Sequence, residues 1–116
     1  MIPEYWKIFI ESNELIGKNF ELSEGDDLSE IGADFQIMNE KQCISEATEA
    51  YPGIVAIKQG YFPVAMCLEG SGDYYYIKTN EGNSGALYRI YHDSVDGKLL
   101  RSDGIEKVLN NYASLL

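Results

Sequence analysis

Residues 61–93 read YFPVAMCLEGSGDYYYIKTNEGNSGALYRIYHD, and this stretch decides the fold. Pro63 to Leu68 is a continuous apolar run of strand length, Asp73 to Thr79 is dense in tyrosine, and Ala86 to His92 mixes Leu, Tyr, Ile and Arg. Glycine-bearing loops, Glu69-Gly70-Ser71-Gly72 and Asn80 to Gly85, separate the three runs as hairpin connections do. Connections this short favour antiparallel neighbours, because a parallel crossover takes about a dozen residues or more. A meander at the centre of a sheet is the expectation. On its middle strand Tyr74, Tyr76 and Lys78 share one face, and Tyr75 and Ile77 the other.

Upstream, Ile54 to Lys58 is rich in β-branched residues and reads as a further strand, joined to the meander through Gln59-Gly60. Glu40 to Tyr51 places Ile44, Ala47 and Tyr51 at helical spacing, with Asn39 as N-cap and Pro52-Gly53 as the stop. Phe20 and Leu22 alternate with polar residues, as do Phe35 and Ile37, which predicts two short strands flanking an acidic loop from Ser23 to Ile31. Pro3 to Asn13 predicts a helix whose apolar stripe is Ile2, Trp6, Phe9 and Ile10, with Trp6 in the core. Downstream, Asp103 and Glu106 have capping-box spacing, and Ile105, Val108, Leu109, Tyr112 and Leu116 predict a closing helix. The sum is one α+β domain over residues 1–116, with a sheet of at least four strands covered by helices on at least one face.

The charge is unevenly placed. The formal total is −10, and residues 1–50 carry twelve acids against three lysines. Between Lys18 and Lys41 there is no base, yet Glu21, Glu24, Asp26, Asp27, Glu30 and Asp34 all lie there. Such asymmetry either keeps a surface solvated or steers it toward a basic partner. It disfavours nucleic acid, which needs clustered Lys and Arg. An RNA-stacking face built from the tyrosines with Lys58, Lys78 and Arg89 runs against the same total, so the tyrosines are expected to pack under helices with their hydroxyls at a polar rim.

The familiar reactive patterns fail one by one. Gly70-Ser71-Gly72 lacks the third glycine of a dinucleotide loop, and no phosphate loop or nucleophile elbow is present. Counted from Asp26, a calcium loop would need an oxygen ligand where Leu28 stands and a glycine where Ile31 stands. Cys43 and Cys67 with His92 are too few for a Cys/His zinc site, and both cysteines sit in contexts that favour buried free thiols. His92 and Asp93 would point to opposite faces of a strand, and nothing among nineteen acids singles out a glycosidase pair. No catalytic set, cofactor or metal is therefore expected. The start, Met1-Ile2-Pro3-Glu4, lacks a secretory pattern and no apolar run approaches a membrane span, so the expected location is cytoplasmic.

The order of residues resembles the SUKH superfamily, which includes the yeast Smi/Knr cell-wall assembly regulators and bacterial toxin-immunity proteins. The matching pieces are Ile2-Pro3 with Tyr5 and Phe9; Tyr51-Pro52; Pro63-Val64-Ala65 after Gly60; Gly70 to Tyr76; Gly85-Ala86-Leu87-Tyr88; and Tyr91-His92-Asp93. Where members often carry an Asn-Gly turn after the first helix, this chain has Glu11-Ser12-Asn13-Glu14, and where many carry an earlier helix ahead of the Leu-Pro signature, this sequence starts at the signature. The resemblance implies a central mixed, mostly antiparallel sheet with helices about it, and a protein that occupies a toxin surface without chemistry of its own. Together with the charge gradient it points to a basic, nuclease-like toxin domain as partner. Glu24, Asp26, Asp27, Glu30 and Asp34 are then the expected electrostatic contributors, and exposed tyrosines the anchors. The alternatives are a regulatory protein-binding scaffold of the cell-wall-regulator type and, more remotely, a small hydrolase.

Overall fold

The computed structural model describes residues 1–116. In chain order the elements are α1 (Glu4–Ser12), β1 (Asn19–Leu22), β2 (Ala33–Ile37), α2 (Glu40–Glu49), α3 (Gly53–Ala56), β3 (Tyr61–Cys67), β4 (Tyr75–Lys78), β5 (Leu87–Ile90), β6 (Val95–Asp96), β7 (Leu99–Leu100) and β8 (Ile105–Leu109). Short 3-10 turns follow α3, β4, β7 and β8. Six strands form one sheet in the order β1-β2-β3-β4-β5-β8, and β6 with β7 makes a separate ribbon. The fold is α+β, with helices packed on a sheet. Every pairing in the large sheet is antiparallel, which corrects the mixed sheet that the resemblance implies.

The tyrosine-rich stretch supplies the three middle strands, as its short loops predict. Cross-strand register then sorts the side chains. Ile37, Ala65, Tyr75 and Arg89 lie opposite one another in a row, as do Phe62, Ile77 and Leu87. This face joins Trp6 and Ile10 of α1, with Val108 and Tyr112, in the main core. Trp6 is fully buried and meets Tyr112 edge-on, with ring centroids 5.0 Å apart. The opposite face carries Tyr76 and Ile90, which pack with Val55 and Ala56 of α3 and Leu100 of β7 in a second cluster. Pro63 brings no N–H to a central strand, and the ladder shifts register between Pro63 and Ala65, the kind of irregularity that tolerates proline.

Two elements differ from the sequence reading. Ile54 to Lys58 is helical: Val55 and Ala56 donate to the Pro52 carbonyl at 3.0 and 2.8 Å, and a 3-10 turn over Ile57–Gln59 follows. Tertiary packing overrides the β-branched preference here. Gly53 lies so close to the backbone of α2 that a Cβ would collide with the Glu46 carbonyl oxygen, and this docking wedges α3 against α2. Gly60, at φ +88°, then ends the turn in the left-handed conformation that glycine adopts without strain.

The second difference is the C-terminal segment, where the expected helix is the edge strand β8 and only Tyr112–Leu115 is helical. The outer edge of β5 is buried and its backbone groups need partners, which β8 provides through Arg89–Glu106 and Ile90–Ile105. Glu106 accepts from the Tyr91 hydroxyl instead of reaching back to Asp103, so the capping-box spacing has no cap behind it.

At the start of α2 the cap is real. The Asn39 side chain accepts from the Gln42 N–H at 2.8 Å and the Gln42 side chain accepts from the Asn39 N–H at 2.9 Å. Cys43 and Ala47 are the buried positions of this helix, while Tyr51 beyond it is 64 % exposed. Replacing Asn39 with Ala removes the bond that its side chain accepts from Gln42, while the backbone N–H of position 39 keeps its own. The change is expected to lower the unfolding free energy by about 1 kcal/mol, read as a shift of the urea midpoint at unchanged slope.

Candidate partner-binding surface

The acidic loop joining β1 to β2 is held by a buried ion pair. Asp27 and Arg89 meet at 3.2 Å with side-chain exposures of 0 % and 4 %. Arg89 also donates to the Ser29 hydroxyl at 2.6 Å, the Gly32 carbonyl at 2.7 Å and the Tyr75 hydroxyl at 3.2 Å. Asp27 in turn accepts from the Ser29 N–H and hydroxyl, both at 2.8 Å. Burial disfavours a charged guanidinium, but the bonds it donates to Tyr75 and Asp27 more than offset this and hold the Arg89 pKa above the ordinary arginine value. Leu28 ties the loop to the far edge of the sheet by donating to the Val108 carbonyl at 3.0 Å. Gly32, at φ +84°, has the Leu22 carbonyl oxygen 3.3 Å from where a Cβ would sit, so glycine alone lets its own carbonyl face Arg89.

This arrangement divides the five acids read as the partner-facing set. Asp27 is corrected: it is 2 % exposed and anchors the loop from inside. Glu24, Asp26 and Glu30 are exposed on the loop and Asp34 is half-buried on β2. Asp26 is turned by Ser23, whose hydroxyl donates to its carboxylate at 3.1 Å. Glu30 sits at φ +68°, an uncommon conformation for a residue with a side chain, costing about 1 kcal/mol. Leu28 and Ile31, 50 % and 57 % exposed, stand among these acids.

Glu21 and Asp34 lie directly opposite each other across the β1–β2 ladder. Like charges so placed destabilise a sheet. None of Glu21, Glu24, Asp26, Glu30 or Asp34 enters a salt bridge; the pairs in the molecule are Lys7–Glu40, Arg89–Asp27, His92–Asp73 and those of Arg101. The loop therefore concentrates uncompensated negative charge on a fixed backbone. No three His, Cys, Asp or Glu side chains converge closely enough to hold a metal ion.

The tyrosines are not an exposed stacking platform. Tyr75 and Tyr76 are buried on opposite faces of β4, and Arg89 is buried beside Tyr75. Lys78 lies over the Tyr61 ring, 5.7 Å from its centroid. Cys43 is buried, which pushes its thiol pKa up to about 12. Cys67 is half-buried and free, with its sulfur 3.1 Å from the Ser71 hydroxyl.

His92 pairs with Asp73 and leaves Asp93 to Arg101. Asp73 Oδ1 lies 2.8 Å from His92 Nδ1 and accepts from the His92 N–H at 2.8 Å, clamping the end of β5 to the loop before β4. No hydroxyl or thiol bonds to the imidazole, and the pair holds a turn together. The bond to Asp73, then its charge, raises the His92 pKa. The stability added by the charged imidazole is fully present below the unfolded-state pKa and is lost as pH rises through the raised folded-state value, while the backbone bond remains. As His92 is the only histidine, its ring resonances report this directly. Their midpoint is expected above the usual histidine value and should fall in Asp73→Asn.

The sequence reading missed Arg89 as the loop's anchor. A charged residue inside the apolar run Leu87-Tyr88-Arg89-Ile90 was the available signal, since a buried cation needs a partner. Nothing in the sequence marks Ser29 or Gly32. Compared with protein-family models, with curated proteins and with solved structures, the chain finds no match.

Proposed function

We propose that this chain is a non-enzymatic immunity protein of the cytoplasm that binds a basic, nuclease-like toxin domain through its acidic β1–β2 region. The observation that carries the reading is the Glu21–Asp34 opposition beside exposed Glu24, Asp26 and Glu30, with no cation paired to any of them. A sheet that sets two carboxylates face to face gives up stability locally, and a basic partner would recover it on binding. The buried Asp27–Arg89 pair supports the same reading, because a pre-fixed loop loses little entropy on association. Exposed Leu28 and Ile31 supply apolar contact area within the charged field. The resemblance to toxin-immunity proteins agrees with this picture, and no helix is long and apolar enough to cross a membrane.

The test is affinity capture from the native host's lysate with washes across a salt series. One basic protein held at low salt and released as salt rises is the expected result, because screening weakens exposed charge pairs. Several unrelated proteins held independently of salt would move the assignment to a regulatory scaffold.

A further inference from the structure

A groove of about 310 Å³ is lined by α2 together with Met38, Met66 and Tyr74. Its apolar lining is Met38, Met66 and Tyr74, and its polar lining is Lys41, Gln42, Ser45 and Glu46 of α2. The two thioether chains are pliable and polarisable, suited to an alkyl stem. Glu46 is half-buried, and burial raises its pKa. It is in no salt bridge, and the side-chain hydrogen bonds of α2 pass between other residues. Ser45 gives its proton to Glu49, which leaves its oxygen free to accept. The Tyr76 hydroxyl is buried without a partner, and after burial the charge of Glu46 is the main influence raising its pKa.

A carboxylate that has lost water without a paired cation is a poor resting state, and Glu46 is in no salt bridge. Lys41 is exposed, so its charge is already solvated, while Glu46 gains most from a guest. We propose that the groove receives one lysine or arginine side chain of the protein partner, with the stem on Met38, Met66 and Tyr74 and the charge on Glu46. This inference rests on the reading of the chain as a binder of a basic protein, and it adds an anchor position to the long-range attraction of the loop.

The chain has three methionines, of which two line the groove and Met1 is exposed, so methyl-labelled methionine reports occupancy. The probe is the capped peptide acetyl-Gly-Lys-Gly-amide at millimolar concentration, titrated into the whole protein. Met38 and Met66 resonances are expected to move while Met1 does not. Glu46→Gln, whose methionine resonances in the absence of peptide verify that the groove is intact, should weaken the response about tenfold, the equivalent of one charge-assisted hydrogen bond. Norleucine in place of lysine should weaken it similarly. An unmoved Met38–Met66 pair, an equal response to norleucine, or a stronger response to a glutamate peptide would each overturn the groove assignment. Affinity capture reads the underlying function separately: a basic protein captured beside an unresponsive groove overturns only the anchor, and a responsive groove with no basic protein captured overturns only the immunity reading.

Discussion

Arg89→Met is expected to lower the unfolding free energy by about 3–5 kcal/mol, the usual consequence of leaving a buried charge without its partner. Asp27 has no exposed side-chain surface and would keep only its bonds from Ser29. The Gly32 carbonyl, the Ser29 hydroxyl and the Tyr75 hydroxyl lose their donor at the same time. Asp27→Asn with Arg89→Met should cost less than the sum of the single changes, because neutralising Asp27 removes the orphaned charge. Urea unfolding of the four proteins gives the cycle, and amide exchange at Leu28 locates the damage, since its bond to Val108 closes the loop onto β8. A loss under about 1 kcal/mol for Arg89→Met would show that the pair does not anchor the loop.

Reversing Glu24, Asp26 and Glu30 together to lysine is expected to slow association with the captured basic partner about tenfold to a hundredfold at low salt and to flatten the salt dependence of the on-rate. All three are exposed and none is in a salt bridge, so the fold should hold and the urea midpoint should stay near the parent's. Asp27 is left out of this variant because its reversal would place two cations against each other in the interior. Unchanged on-rates would remove the β1–β2 loop from the interface.

The legible parts of the fold were those in which local pattern and tertiary need agree. Short glycine loops made β3, β4 and β5 an antiparallel meander, alternation found β1 and β2, and Trp6 declared itself core by sharing a stripe with Ile10. The failures came where a segment's own pattern was ambiguous and a distant surface decided. Ile54 to Lys58 suits a strand by its β-branched residues, but a helical turn brings Val55 and Ala56 onto Tyr76 and Ile90. Ile105 to Leu109 had a helical apolar stripe and an apparent cap, yet the unpaired edge of β5 claimed it. The acidic region was visible as charge, but its division was not. Asp26 and Asp27 are neighbours of the same chemistry, and only the position of Arg89, 62 residues on, sends one to solvent and the other inside. Glu46 had no mark at all, because its isolation depends on α2 lying over Met66 and Tyr74.

Growth of cells expressing the captured basic partner, with and without this protein, tests neutralisation most directly. The partner alone should arrest growth, co-expression of the parent protein should restore it, and the triple lysine variant at equal abundance should fail to do so. A partner that is harmless alone, or an arrest that the parent protein leaves unrelieved, would contradict the account.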